Sequence, residues 1–466
     1  MSEPIGNRAK QMKTLGIGLR VGAGLVSTFV LVACSSAGGD ASAGGGATNA
    51  AAGAGTILQG GGGSAGSPVV ASAGAATGDS PGAAAGSGGA SVVGAGGADS
   101  AGAAGAGAGG ASAGAGQSAG SGGGAGQPAT CVAGLPSSLS DLASKGTDST
   151  VSKSTPMGKR YDGVAKLSAT SDDVAFFHDA SQQPPIPGST SGLHLKALTV
   201  NLYPSGAGLP TPADINQHAI GNCDGDTAFA AISYLNPGFI KSIITDNQDN
   251  TFTVAMYDPM GKRMTISVDN QFLVDGSNNI GAVSGKNDVA DWATVLEKAT
   301  MKYVKVFPVV SDIGGIGSEH QTPMFTGTGG SIGFDRGKLS PSELTRVVKA
   351  ALAAGKIISG GFGSDGMTLA NGLQTVTAHG YAVFVPKDAN TMISMRNPWG
   401  LDPTSKGFDG STDGVLDIPS DPSWAATIDI RVIDPGDACG PGKTTPYLPL
   451  QGDIAAKALS RAPQTR

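Results

Sequence analysis

Apolar residues Ala228, Phe229, Ala231, Ile232 and Leu235 recur three to four positions apart, the spacing of one helix face. They predict a helix opening at Cys223 and closing at the breaker set Leu235-Asn236-Pro237-Gly238. Phe239 to Thr245 reads as a second short helix. Residues Asp249 to Asp258 and Arg263 to Asp269 alternate apolar with polar around Pro259-Met260-Gly261-Lys262, which predicts a hairpin. Asp288 to Val306 carries Val289, Trp292, Val295, Leu296, Ala299 and Tyr303 on one stripe, an amphipathic helix. Ser340-Pro341-Ser342-Glu343 offers a Ser N-cap, Pro at the first position and a capping-box Glu; that helix runs to Ala354 and stops at Gly355. Strands follow at Lys356 to Gly360, Thr375 to Val385 and Met392 to Arg396. Upstream the signals are weaker: a short helix at Leu135 to Leu142, runs of strand or helix length in Asp162 to Phe177, a connector at Gln182 to Gly188, and a strand at Leu193 to Leu202. Helices first and strands afterwards argue for an α+β fold with a helical half and a sheet half. A cleft between the halves is where a site belongs.

Composition changes the domain count. The 466 residues include 76 glycines, and these concentrate in one stretch. Ser35 to Gln127 holds no aromatic residue, no Lys and no Arg, so it has too little apolar surface to offset chain entropy. It reads as a flexible tether over 34–128 with an r.m.s. reach of about 50 Å. Before it, Arg8, Lys10, Lys13 and Arg20 precede an apolar run from Val21 to Ala33, the pattern of an export signal over 1–33. Leu31-Val32-Ala33-Cys34 resembles the lipobox of bacterial lipoproteins, which implies that Cys34 carries lipid. Ser35 at the next position suits outer-membrane sorting in a diderm cell. The other reading is a plain secretory peptide cut elsewhere. The expected localisation is exported and lipid-anchored at the cell envelope. The rest divides into an N-terminal extension or pro-region over 129–208, a folded domain over 209–439 and a tail over 440–466.

The four cysteines then sort by setting. Cys34 goes to lipid. Cys131 and Cys439 flank the folded part, and an exported protein can keep them as a disulfide. Cys223 remains. On the first turn of a helix it would face unpaired N–H groups and the positive end of the macrodipole, which favours the nucleophilic thiolate. A buried small hydrophobe is the other reading of a lone Cys. Gln217, six positions earlier, could aim its amide N–H at an oxyanion beside the sulfur.

Two features downstream favour the nucleophile. His379 sits in Thr377-Ala378-His379-Gly380-Tyr381-Ala382-Val383 at the opening of a strand, and Asn397 closes the next one in Met395-Arg396-Asn397-Pro398-Trp399-Gly400. The intervals, 379 − 223 = 156 and 397 − 379 = 18, put His and Asn on neighbouring strands joined by the Pro386 to Asn390 turn. Side chains there lie about 5 Å apart, close enough for the Asn oxygen to accept the imidazole N–H, with Trp399 covering the pair. His178, His194, His218 and His320 have no comparable partner.

Four motifs now stand in order: Gln217-x₃-Gly221-x-Cys223; Trp292-x₃-Leu296-Glu297-Lys298-Ala299; His379-x-Tyr381-x-Val383; and Arg396-Asn397-Pro398-Trp399-Gly400. Together they resemble the catalytic core of the calpain family of papain-like cysteine proteases, over roughly Leu209 to Asp434. The resemblance implies a two-lobed fold with Cys223 in a helical lobe and His379 and Asn397 in an antiparallel β lobe. It implies a cysteine endopeptidase: Cys223 the nucleophile, His379 the base and then acid, Asn397 its orienter, Gln217 the oxyanion donor. Where the family has an aromatic after the Cys, this chain has Asp224, with Asp226 two positions on. Carboxylates there oppose a thiolate. Calcium binding is a trait of that family, and no ligand set for it stands out, so the metal is unknown.

Two other functions share parts of this pattern: a calpain-like module that binds peptides without cleaving them, and a transglutaminase-like acyl transferase. Asn397 in place of an Asp argues against the last. The net charge of −6 and the lack of a basic patch exclude a nucleic-acid partner. The expected partners are a protein or peptide substrate and, through lipid, a membrane; a monomer is expected.

Overall fold

The computed structural model describes residues 131–448, except 150–151, 153, 189, 191, 205–207, 364–375, 377 and 402–412. The export signal, Cys34, the tether and the tail beyond 448 lie outside the described residues.

Among the described residues the early helices are α1 (Ser171–His178), α2 (Cys223–Leu235), α3 (Pro237–Ile243) and α4 (Trp292–Val306). After them come α5 (Ser318–Thr326), α6 (Pro341–Ala353) and α7 (Pro422–Ala425). The first six strands are β1 (Thr147–Asp148), β2 (His194–Ala197), β3 (Ile244–Asp246), β4 (Thr251–Tyr257), β5 (Arg263–Asp269) and β6 (Gln271–Val274). The later ones are β7 (Ser331–Phe334), β8 (Ile357–Phe362), β9 (Gly380–Phe384), β10 (Thr391–Arg396), β11 (Val415–Pro419) and β12 (Ile428–Ile433). Helix and sheet are thus mixed, and strands occur in the first half as well as the second.

The main sheet is antiparallel with strand order β1-β7-β12-β8-β9-β10-β11. Every residue of β8, β9 and β10 is buried, because α2 and α6 both pack on these strands. The expected hairpin forms as β4 and β5, in register from Thr251↔Asp269 to Tyr257↔Arg263, with β3 added on β4. Its alternation is that of a half-covered sheet: Phe252, Val254 and Met256 are buried while their neighbours are not.

Two helices depart from the amphipathic expectation. In α2 every residue except Asp224 is buried. Its small residues allow close neighbours: a Cβ on Gly225 would stand 2.7 Å from the Ile316 side chain and 2.3 Å from Gln321 Oε1. The stretch expected from Asp288 begins only at Trp292, with Asp291 capping the N–H groups of Ala293 and Thr294. Its polar side is buried too. The Lys302 ammonium donates to the carbonyls of Asp179 and Ser267, both at 2.9 Å, and Lys298 to that of Gln271 at 2.6 Å. Buried ammoniums persist when backbone acceptors replace water.

The segment before the predicted domain is built into the same body. Leu139, Leu142 and Phe177 enter the core, β1 pairs with β7, and β2 pairs with β6. Cys131 and Cys439 are joined by a disulfide across 308 positions, with Cα atoms 5.8 Å apart.

Candidate active site

Cys223 is the first residue of α2 and is wholly buried. The loop before it is held from several sides. Arg396, itself buried, donates to the carbonyls of Pro212 (3.2 Å) and Ile215 (3.4 Å). Trp292 Nε1 donates to Asp214 Oδ2 at 3.1 Å, and the Gln217 N–H to the Pro398 carbonyl at 2.8 Å. The Arg-Asn-Pro-Trp-Gly and Trp-x₃-Leu-Glu-Lys-Ala stretches therefore fix where α2 begins.

The Gln217 amide nitrogen donates to the Ile220 carbonyl at 2.7 Å and, more loosely, to Asn222 Oδ1 at 3.4 Å. Its donors face their own loop, beside the sulfur's turn. Asn222 does not cap α2 with its side chain. Its Nδ2 donates instead to Asp226 Oδ1 (3.1 Å) and Glu297 Oε1 (2.8 Å), and Glu297 Oε2 accepts the Val283 N–H at 2.9 Å. Burial pushes the Glu297 carboxyl well up. Sequence reasoning missed this network, although the Glu of the Leu-Glu-Lys-Ala stretch was its visible end.

His379 directly precedes β9 and Asn397 directly follows β10. The two strands pair so that partners sum to 778, as in Met395↔Val383 and Arg396↔Ala382. Continued, that register sets His379 opposite Trp399 and diagonal to Asn397, within reach of long side chains. The rings of His379 and Trp399 stand 4.4 Å apart, and the Tyr381 ring meets His379 edge-on at 5.0 Å. His379 Nε2 and Asn397 Oδ1 are 2.8 Å apart. Asn397 is anchored at both ends: Oδ1 accepts the Trp399 N–H at 3.0 Å, and Nδ2 donates to the Leu401 carbonyl at 2.8 Å. Its oxygen must therefore face His379, so Nε2 carries the hydrogen and Nδ1 is the basic nitrogen of the neutral ring. Nδ1 is buried and, among the described residues, has no hydrogen-bond partner.

Gly380 brings α2 and β9 together. Its N–H donates to Cys223 Sγ at 3.4 Å. Because that nitrogen is bonded to His379, the sulfur lies within about 6 Å of the His379 Cα. A Cβ at Gly380 would stand 2.6 Å from the Asp224 Cα, so only glycine allows β9 this close to α2. Cys223, His379 and Asn397 thus gather at one place, with the Gln217 loop alongside. His218 lies apart from them, bonded to Ser284 at 2.7 Å.

Asp224 is not bare. Burial and the neighbouring Glu319 carboxylate push its pKa up, while Arg431 and hydrogen bonds from the Ser318 N–H and hydroxyl oppose that. Glu319 moves the other way: despite burial, Arg431, His320 and Arg160 hold it well below the usual carboxylate range. Asp224, His379 and Gly380 line a cavity of about 400 Å³. Among the described residues no three His, Cys, Asp or Glu side chains are grouped to hold a metal ion.

The chain matches none of the curated proteins. Residues 202–410 match the calpain family cysteine proteases, a span that includes Gln217, Cys223, Trp292, His379 and Asn397 together. By this match, residues 202–410 are a calpain-family catalytic domain.

Proposed function

We propose that this domain is a cysteine endopeptidase working through Cys223, His379 and Asn397. His379 Nδ1 takes the thiol proton as the sulfur attacks the peptide carbonyl carbon. The negative charge then moves to the carbonyl oxygen. First-turn N–H groups of α2 stabilise it, joined by the Gln217 amide once it exchanges its 3.4 Å donation to Asn222 for the oxyanion. The C–N bond breaks as Nδ1 returns its proton to the leaving amine, giving a thioester. Water, deprotonated by the same nitrogen, attacks the thioester; the S–C bond breaks and the thiol is regenerated. Asn397 keeps the hydrogen on Nε2 throughout, so that Nδ1 is always the nitrogen that exchanges protons. Trp399 and Tyr381 cover the ring and exclude water from it.

The observation that carries this reading is the doubly anchored Asn397 against His379 Nε2, 2.8 Å away, beside a buried Cys223 whose sulfur meets the Gly380 N–H. The test is casein hydrolysis by the full chain and its Cys223→Ala variant, each with calcium and with a chelator. Loss of hydrolysis in Cys223→Ala is expected; equal activity in the two overturns the assignment.

The second part of the proposal concerns place. The chain is exported as a monomer and held at the outer membrane or cell surface by lipid on Cys34, with 34–128 as its tether. Metabolic labelling with a fatty acid is expected to mark the native chain and leave Cys34→Ala unmarked. Label in both would remove the anchor from the proposal.

A further inference from the structure

The cavity beside Cys223 has a floor made by strand register. Asp429 of β12 pairs with Gly361 of β8, and Gly361 pairs with Gly380 of β9. The row Asp429–Gly361–Gly380 therefore crosses three strands, about 10 Å at ordinary strand spacing. One end is a carboxylate. The other is the N–H that meets Cys223 Sγ at 3.4 Å. The one residue between them, Gly361, is a glycine and raises no side chain. A Cβ on Gly361 would lie 3.5 Å from Asp429 Oδ1, and one on Gly380 would lie 2.9 Å from Asp224 Oδ1. Asp429 thus hangs over the bare strand at Gly361, Asp224 closes the end of the trough over Gly380, and His379 lines the same cavity.

The charges in that cavity are unevenly matched. Arg160 and Arg431 are both spent on Glu319, at 3.7 and 3.1 Å. Arg336 approaches Asp429 only to 3.7 Å, and both of those side chains are nearly half exposed. Asp224 has the Ser318 hydrogen bonds and, among the described residues, Arg431 nearby but no ion pair; Asp335 also lines the wall. Partial burial, with Asp335 and Glu319 nearby, pushes the Asp429 carboxyl up to about 6 against the pull of Arg336 and Arg431.

We infer that this trough is the subsite for a lysine or arginine side chain of the peptide substrate, with Asp429 taking its charge and Asp224 flanking it. The inference rests on the peptidase reading above and names its substrate class. A long basic side chain laid over Gly361 would keep its stem on the bare strands and bring its cation to Asp429, replacing the loose Arg336 contact. An acidic side chain has no such place, because the two guanidiniums deepest in the wall already hold Glu319.

The test uses paired peptides that differ at one residue near the scissile bond: arginine, lysine, norleucine or glutamate. With the full chain, kcat/KM for the basic peptides is expected to exceed that for norleucine by about tenfold or more, the size of one charge-assisted hydrogen bond. In Asp429→Asn that ratio falls towards one, and Asp429→Glu restores most of it. Binding of the same peptides to Cys223→Ser, measured by calorimetry, gives the answer without turnover. Equal binding and equal rates across the set, or a preference for glutamate, overturn the inference. Arginine-selective binding with no hydrolysis by the native chain leaves the subsite standing and removes the peptidase reading instead.

Discussion

Asn397 decides which imidazole nitrogen is basic, and it does so through backbone contacts on either side, Trp399 N–H and Leu401 carbonyl. Asn397→Ala removes the acceptor from His379 and lets the ring turn or change tautomer. The expected cost is on the order of 10² in kcat/KM with little change in KM, read by steady-state kinetics; a change confined to KM would deny Asn397 that role. Asp224 makes the second residue-scale prediction. Its raised pKa means that it gains charge as pH rises towards neutrality, which is when the adjacent thiol must ionise. Like charges oppose one another, so Asp224→Asn is expected to lower the midpoint of Cys223 alkylation by iodoacetamide, by up to about one pH unit. A midpoint that stays or rises would show the carboxyl to be neutral throughout. The sequence made Asp224 legible as a liability beside the sulfur. Ser318 and Arg431, which moderate it, stand 94 and 207 positions later (318 − 224 and 431 − 224), and no local pattern links such distant residues. Asp429 was illegible for the same reason: only the register of three strands reveals what it faces.

Among the elements, α2 and β9 meet closely, and Gly380 permits it. Gly380→Ala would press a methyl to 2.6 Å from the Asp224 Cα, backbone that cannot step aside cheaply. A loss of about 1–3 kcal/mol is expected, seen in denaturant melts, together with loss of hydrolysis as the sulfur and imidazole separate. A stable, fully active variant would mean the contact is not maintained in solution. The start of α6 supplies a pH prediction. Glu343 bonds the Lys145 ammonium and the Ser340 N–H and hydroxyl, which hold its pKa down to about 2. A depressed carboxyl stabilises the fold above its unfolded value of about 4.3, and that contribution disappears as pH falls from there towards 2. Glu343→Gln should therefore melt lower than the native chain at pH 7, by about 1 kcal/mol at a cap this exposed, and the gap should close in acid. A constant gap would tie the effect to packing. This cap was readable because Ser-Pro-Ser-Glu is a local signal. The β4–β5 hairpin was readable because one face is covered and one is not. No such signal marked α5, which has Pro323 in its interior, or β12, whose place between β7 and β8 follows from sheet order alone. The α4 helix was readable as a helix but not as one buried on nearly every side, since its cover comes from β5, β6 and the loop after α1.

At the scale of the whole molecule, the segment from 131 to 208 read as an appendage because its periodicity is weak, yet it supplies parts that the folded body uses. Arg160 reaches Glu319 in the cavity wall, Lys145 closes the α6 cap, and β1 extends the main sheet. Its anchorage is concentrated near Cys131. The disulfide joins that residue to Cys439; Asp434 Oδ1 accepts the Gly134 N–H at 3.0 Å and the Lys356 ammonium at 2.7 Å; and Lys356 also bonds the Val132 carbonyl. A crosslink over 308 positions restricts the unfolded chain strongly, about 6 kcal/mol on chain-entropy scaling. The double variant Cys131→Ser, Cys439→Ser is expected to unfold at lower denaturant by up to that amount, while Cys223, being outside the pair, keeps its reactivity. Reductant should then act in two directions on the native chain: it preserves the Cys223 thiol and loosens the fold. Mild reductant should raise hydrolysis at low temperature, and strong reductant should lower the melting midpoint to that of the double variant. If the double variant and the native chain melt together under oxidising conditions, the bond contributes nothing to stability, and Asp434 with Lys356 is the anchor of the segment.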